Sequence, residues 1–336
     1  MAVVRPFGLG VQDESLESDI KLGMSAVEQS LLEATKSDTP FITEAAQHLL
    51  EAGGKRFRPL VVLLASQFGD PNAPGVVPAG CVVELTHVAT LYHDDVMDEA
   101  DLRRGAPSAN ARWDNSLAIL TGDFLFSRAS QIVSGLGPEA VRIQAEAFER
   151  LVTGQILETA GAQPGDDPVQ HYLEVLGGKT SSLVAAAGHL GALMAGADPW
   201  VVEILTQYGE RIGLAFQLAD DILDITSESS ESGKTPGTDL REGVPTLPVL
   251  RLREMSPDPA VPGDLRLREL LDTGVESDED LAEALTLLRA HPALRVARED
   301  TLRYAEEARS LLAPLPECPA KQALERLCDT VALRTM

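Results

Sequence analysis

The sequence has little positive charge. Lys and Arg number 28 against 52 Asp and Glu, for a net charge of −24 and a pI of about 4.6. A phosphate backbone wants a basic stripe, so this balance excludes nucleic acid as a partner. It also suits an anionic membrane surface poorly. A phosphorylated substrate would need help from metal cations or locally clustered Lys and Arg. Cysteine is scarce too. Cys81, Cys318 and Cys328 form no CxxC pair, and their odd number fits a reducing, cytoplasmic compartment. Residues 1–20 turn acidic early and lack the apolar core of a signal segment. Long hydrophobic runs are missing. The longest uncharged stretch, Thr180 to Ala197, contains His189 and three glycines. It reads as a close-packed interior helix, and no transmembrane segment is expected. Strand signals are also missing: no stretch shows apolar alternation bounded by hairpin turns.

What is there is helix. "AVEQSLLEA", "VRIQAEAFERLVTGQILETA", "VVEILTQYGERIGLAFQLADDILDI" and "DTLRYAEEARSLLA" all space apolar residues by three and four. Apolar residues reach 44%, enough for a sizeable core. The expected fold is all-α, a single helical domain over 1–336, with 1–20 as a leading segment without fixed structure. Inter-helix loops are expected at 68–77, 135–138, 161–168, 197–199 and 256–264. The Gly- and Ser-rich stretch 227–245 reads as a mobile loop rather than a linker. There is no repeat of fixed period.

Two acidic clusters interrupt apolar helix: "LYHDDVMD" at 91–98 and "DDILD" at 220–224. At about 100° per residue, Asp94 and Asp98 share a face, and His87 and Thr90 fall on that side. Asp95 points about 100° away. Asp220 and Asp224 likewise share a face with Gln217, and Asp221 points elsewhere. Two carboxylate plates facing across a cavity would suit Mg²⁺, a hard cation that keeps waters and takes its remaining ligands from phosphates. A solvated helix face is the bland alternative for one such cluster, but two copies embedded in apolar helix argue against it. Basic blocks appear where a diphosphate would need them: "GGKRFRP" (53–59), "DLRRGAP" (101–107), "GGKTSSL" (177–183) and "SGKTPG" (232–237). Gly-Lys-Thr at 178–180 is no P-loop, because the required spacing and preceding strand are missing.

The order "GGKRFRP … HVATLYHDDVMDEADLRRG … GDFLF … GQILE … GGKTSSL … GLAFQLADDILD … GKTPGTDLREG" resembles the trans-type polyprenyl diphosphate synthases over about residues 45–250. The resemblance implies a helical bundle surrounding a central active-site cavity, and a homodimer. It implies head-to-tail condensation of isopentenyl diphosphate with an allylic diphosphate. Asp94, Asp98, Asp220 and Asp224 would bind Mg²⁺, three ions held with the allylic diphosphate. Arg103, Lys179, Gln217 and Lys234 would hold that diphosphate. Lys55, Arg58, His87 and Arg104 would hold isopentenyl diphosphate, and Thr180 and Gln217 would present oxygens near the cation. Asp94, Asp98, Asp220, Lys179 and Arg103 form the expected catalytic set, and 227–245 the expected lid.

The chain departs from the family in the loop after the second acidic cluster, and its C-terminus "VALRTM" offers only Arg334 where many relatives are more basic. A Lys is common shortly after "DLREG", and Val244 stands in that slot. Lys234 would then carry the loop's contact with diphosphate, alone or with Arg241. A terpene cyclase also uses one DDxxD, but it needs no isopentenyl site. A non-catalytic subunit of a heteromeric synthase tends to lose the acidic motifs kept here. Ala89 and Thr90, just before the first Asp, are small where bulky residues would stop chain growth. A medium- or long-chain product of six or more isoprene units is therefore expected, with the short-chain farnesyl or geranylgeranyl product as the alternative.

Overall fold

A computed structural model describes residues 13–227, 236–275 and 277–334. The fold is all-α apart from one two-residue ribbon. The chain opens with α1 (Glu14–Ala34), α2 (Pro40–Glu51), α3 (Phe57–Ser66) and α4 (Val76–Met97). The short α5 (Ala109–Arg112) precedes the long α6 (Asn115–Ser134) and α7 (Pro138–Ala160). Then come α8 (Pro168–Leu176), α9 (Ser182–Met194), α10 (Pro199–Thr226) and α11 (Thr238–Arg241). The chain ends with α12 (Leu247–Glu254), α13 (Asp264–Thr273), α14 (Asp278–Ala290), α15 (Pro292–Leu311) and α16 (Pro319–Leu333). Prolines that look like loop punctuation open helices: Pro40, Pro138, Pro168, Pro199, Pro292 and Pro319 each stand at a first position. There the missing N–H is not needed and the fixed φ is already helical.

One correction concerns the leading segment. Residues 14–20 are not irregular; they are the first turns of α1. The Asp13 carboxylate accepts the Leu16 N–H at 2.9 Å, and Leu16 and Ile20 are buried.

The Thr180–Ala197 stretch is the interior helix its composition suggests. α9 is buried from Ser182 to Gly188, and again at Leu190, Gly191 and Ala192. Its glycines let backbones touch. A methyl added at Gly188 would land on the Leu205 carbonyl of α10, and one at Gly191 on the Val62 carbonyl of α3. α4 sits between two apolar clusters, with Val82 and Val83 in the larger core and Cys81, Leu85 and Ala89 packed toward α2 and α6. The end of α10 is likewise covered by α12 to α15, through Ile225, Val249, Leu267 and Leu288. Both helices that carry an acidic motif are therefore fixed by packing. No helix among the described residues is long and apolar enough to cross a membrane.

The ribbon pairs β1 (Leu102–Arg103) with β2 (Ala106–Pro107). Its two turn residues, Arg104 (φ 55°) and Gly105 (φ 76°), both have positive φ, as a tight hairpin of this hand requires. Gly supplies that freely. Arg104 does not, and its guanidinium is tied to the Leu49 carbonyl at 2.8 Å and to the Gly53 carbonyl.

Candidate active site

Both acidic motifs stand at helix C-termini. Asp94 and Asp95 lie in the last turn of α4 and Asp98 caps it; Asp220, Asp221 and Asp224 lie in the last two turns of α10. The helix dipole already makes this end negative, so carboxylates there are repelled twice. Such an arrangement suits a cation. Asp94 shows it most clearly: burial pushes its carboxyl up to about 6, Asp98 and Glu158 push the same way, and Lys179 and Arg103 oppose.

Each motif divides into outer and inner carboxylates. Inner Asp95 is fully buried and accepts from Arg103 Nε at 2.5 Å, while Arg103 Nη2 lies 3.7 Å from outer Asp98. Inner Asp221 is buried as well. It accepts the Tyr172 hydroxyl on Oδ2 and Gln217 Nε2 on Oδ1, the latter at 3.0 Å. Burial and the Asp221 charge hold the Tyr172 phenol well above its ordinary range, so it stays a donor. Outer Asp220 meets Lys55 Nζ at 3.1 Å and Arg334 Nη2 at 2.7 Å. Asp224 faces the loop: its Oδ2 accepts the Asp239 N–H at 3.2 Å and its carbonyl accepts the Gly237 N–H at 2.8 Å. Asp224 thereby ties α11 back onto α10.

Lys179 and Thr180 sit in a π-helical turn, Gly177–Ser181, between α8 and α9. Such turns are rare and frequently mark functional sites. Gly154 of α7 lies against this turn, where a methyl would strike the Lys179 nitrogen. Lys179 Nζ donates to Glu158 at 2.5 Å, and the Thr180 hydroxyl donates to Gln217 Oε1 at 3.3 Å.

The three cations of "GGKRFRP" do different things. Arg56, at φ 48° and only 3% exposed, turns inward. It donates to Glu28 at 2.5 Å, to Glu84 at 3.1 Å and to the Leu50 carbonyl at 2.9 Å. Sequence reading missed this residue and its two acids; the only signal was three cations within four residues, Lys55, Arg56 and Arg58. Arg58 lies near Glu84, Arg104 and His87, and its buried Nε has no acceptor among the described residues. Burial pushes the Arg58 guanidinium down to about 10. Burial, Arg58 and Arg104 hold His87 well below its ordinary range, so it is neutral at pH 7. Lys55 and Arg334 both lie over the Phe216 ring, at 4.8 and 5.0 Å, and Phe57 stacks with that ring at 4.7 Å.

These contacts close a ring. Asp94 feels Lys179; adjacent Thr180 reaches Gln217; Asp220, one turn on, pairs with Lys55. Gly53, two residues before Lys55, is held by Arg104, and adjacent Arg103 returns to Asp95 and Asp98.

A polyprenyl synthetase family model matches residues 39–288. The chain belongs to the polyprenyl synthetase family. It is a prenyltransferase. It is 50% identical to the nonaprenyl diphosphate synthase of Mycobacterium tuberculosis, over 97% of each chain. It is 33% identical to the octaprenyl diphosphate synthase of Escherichia coli, over 93% of this chain and 95% of that protein.

Among solved structures, the geranylgeranyl pyrophosphate synthase of Corynebacterium glutamicum, complexed with calcium and isoprenyl diphosphate, superposes with a TM-score of 0.85. It is 45% identical, over 97% of this chain and 99% of that one. The decaprenyl diphosphate synthase of Rhodobacter capsulatus also gives 0.85, at 36% identity, over 96% and 99%.

Set within this prenyltransferase family, the donor set fits a divalent cation: hard carboxylate oxygens, paired, at two negative helix ends. Among the described residues no three His, Cys, Asp or Glu side chains gather around one point, so neither plate closes a metal shell by itself. Lys234 lies outside the described residues. Arg241 does not join the site; its guanidinium pairs with Asp278 of α14. Val244 is exposed and donates its N–H to the Asp239 carbonyl at 2.9 Å. Ala89 is buried in the α4–α6 contact, and the Thr90 hydroxyl donates to the His87 carbonyl at 2.8 Å.

Proposed function

We propose that this prenyltransferase condenses isopentenyl diphosphate with an allylic diphosphate, head to tail and with Mg²⁺, to give an all-trans product of six or more isoprene units. The observation that carries the reading is the ring: two acidic helix ends joined through Lys179, Lys55, Arg103 and Arg104. Asp94, Asp98 and Asp220 would hold the metal ions, with Asp224 in support. When bound, the ions neutralise charge on the departing diphosphate.

The chain's own residues do the rest. Lys179 and Arg103 bind the allylic diphosphate, with Lys234 from the loop. Charge grows on this group as its bond to C1 breaks, so fixed cations stabilise the transition state most. Thr180 and Gln217 face the allylic carbon with oxygens. Lys55, Arg58, Arg104 and neutral His87 hold isopentenyl diphosphate. Its double bond attacks C1 and forms the new carbon–carbon bond. A proton then leaves C2 to the departing diphosphate, which restores a double bond. The 227–245 loop excludes water, which would otherwise quench the cation to an alcohol. Small Ala89 and Thr90 leave room for a growing tail. The working form is a homodimer; exposed Ile119 and Leu120 on α6 offer an apolar patch for a second copy.

Incubation with labelled isopentenyl diphosphate, farnesyl diphosphate and Mg²⁺ tests the reading. Extractable linear prenyl diphosphates of six or more units support it. A product ending at farnesyl or geranylgeranyl length, a cyclised hydrocarbon, or no product from the purified chain would each contradict it.

A further inference from the structure

The inner acid of the second motif touches no ring cation, yet it is buried and fully engaged. Asp221 is 6% exposed, and each of its oxygens takes one donor: Tyr172 on Oδ2 and Gln217 Nε2 on Oδ1. A carboxylate only accepts. Gln217 must therefore turn its NH₂ toward Asp221, which leaves Oε1 on the opposite side. That oxygen accepts from the Thr180 hydroxyl at 3.3 Å. The Thr180 proton is thereby directed at Gln217, and the lone pairs of Thr180 face elsewhere. Four side chains from three elements (α8, the π-turn and α10) make one chain whose donation converges on Asp221 from both ends.

We propose that Tyr172 and Asp221 are positioning residues that fix the Gln217 amide with its oxygen toward the reacting allylic carbon. The inference rests on the proposed condensation. Without the Asp221 anchor, Gln217 is free to flip and present its NH₂, the positive end of the amide, to a developing carbocation. The same flip would leave the Thr180 hydroxyl without its acceptor. Tyr172 contributes by holding the far oxygen of Asp221, so that the near one stays aimed at Gln217. Tyr172 itself contacts no substrate in this reading.

The test is a double-mutant cycle on single-turnover condensation with Mg²⁺, farnesyl diphosphate and labelled isopentenyl diphosphate. Tyr172→Phe should slow the single-turnover rate by about tenfold or more, with KM for both substrates changed less than about twofold. Gln217→Leu should be slower still. In the Gln217→Leu background Tyr172→Phe should add nothing, because the group it acts through is gone. A purely structural role would lower Tm and multiply the two effects. Should Tyr172→Phe not fold, the same cycle with Asp221→Asn decides. Multiplicative effects, or a wild-type rate in Tyr172→Phe, would overturn the proposal alone. No product from the wild type would overturn the condensation reading and this proposal together.

Discussion

Burial lifts Asp94 to about 6, from an ordinary value of 3.8. Between those pH values the folded chain binds more protons than the unfolded one. Stability therefore falls as pH rises through this window, and the charged form is the costly one above it. Asp94→Asn should stabilise the metal-free protein at pH 7.5 by about 1–2 kcal/mol, after discounting for partial exposure. The gain should vanish near pH 4. Urea midpoints in EDTA at the two pH values check this, and a loss of stability at pH 7.5 would contradict it. Ala89 gives a second residue-scale expectation. Its side chain lies in the α4–α6 contact, where Phe must either displace neighbours or enter the space beside the Asp face. Ala89→Phe should shorten the product to about three or four units and cost about 1–3 kcal/mol through overpacking. Chain-length analysis of the products decides; an unchanged distribution means that the wall lies elsewhere. Helix phase alone pairs Asp94 with Asp98 on α4 and Asp220 with Asp224 on α10, and that pairing was legible in the sequence. The roles of Asp95 and Asp221 were not, since their partners Arg103 and Tyr172 come from other elements, 8 and 49 residues away.

At the scale of elements, periodicity located the helices, and Pro and Gly located the loops between them. The ribbon escaped notice because a two-residue strand has no alternation to read, and its turn uses Arg104 where Asn is usual. The π-turn escaped too, since no pattern within "GGKTS" marks it and its neighbour Gly154 comes from α7. Helix–helix distances follow from small residues. Gly188→Val should destabilise by more than about 3 kcal/mol, because its side chain would meet the α10 backbone, which is not free to move. A measured loss below about 1 kcal/mol would show that α9 and α10 separate easily. The loop 53–56 is held differently. Arg56→Leu leaves Glu84 buried without its partner and should cost about 3–5 kcal/mol. Adding Glu84→Leu should recover part of that loss. Denaturant midpoints of the single and double variants check both statements.

At the scale of the molecule, a chain of net charge −24 binds an anionic substrate only if cations mediate. In the proposed reading the linked acids, Lys and Arg of the two motifs do this, while α4 and α10 are held by packing on several sides. The charge pattern was legible in the sequence; the closure of the ring was not, because Lys55 and Asp220 lie 165 residues apart. The central claim is that divalent ions and diphosphate together fill the space between the two acidic helix ends. Calorimetric titration of the full chain with inorganic diphosphate, with and without Mg²⁺, measures that directly. Binding should require Mg²⁺ and should weaken by about tenfold or more in Asp94→Asn and in Asp220→Asn. Equally tight binding without Mg²⁺, or undiminished binding in either variant, would contradict the account.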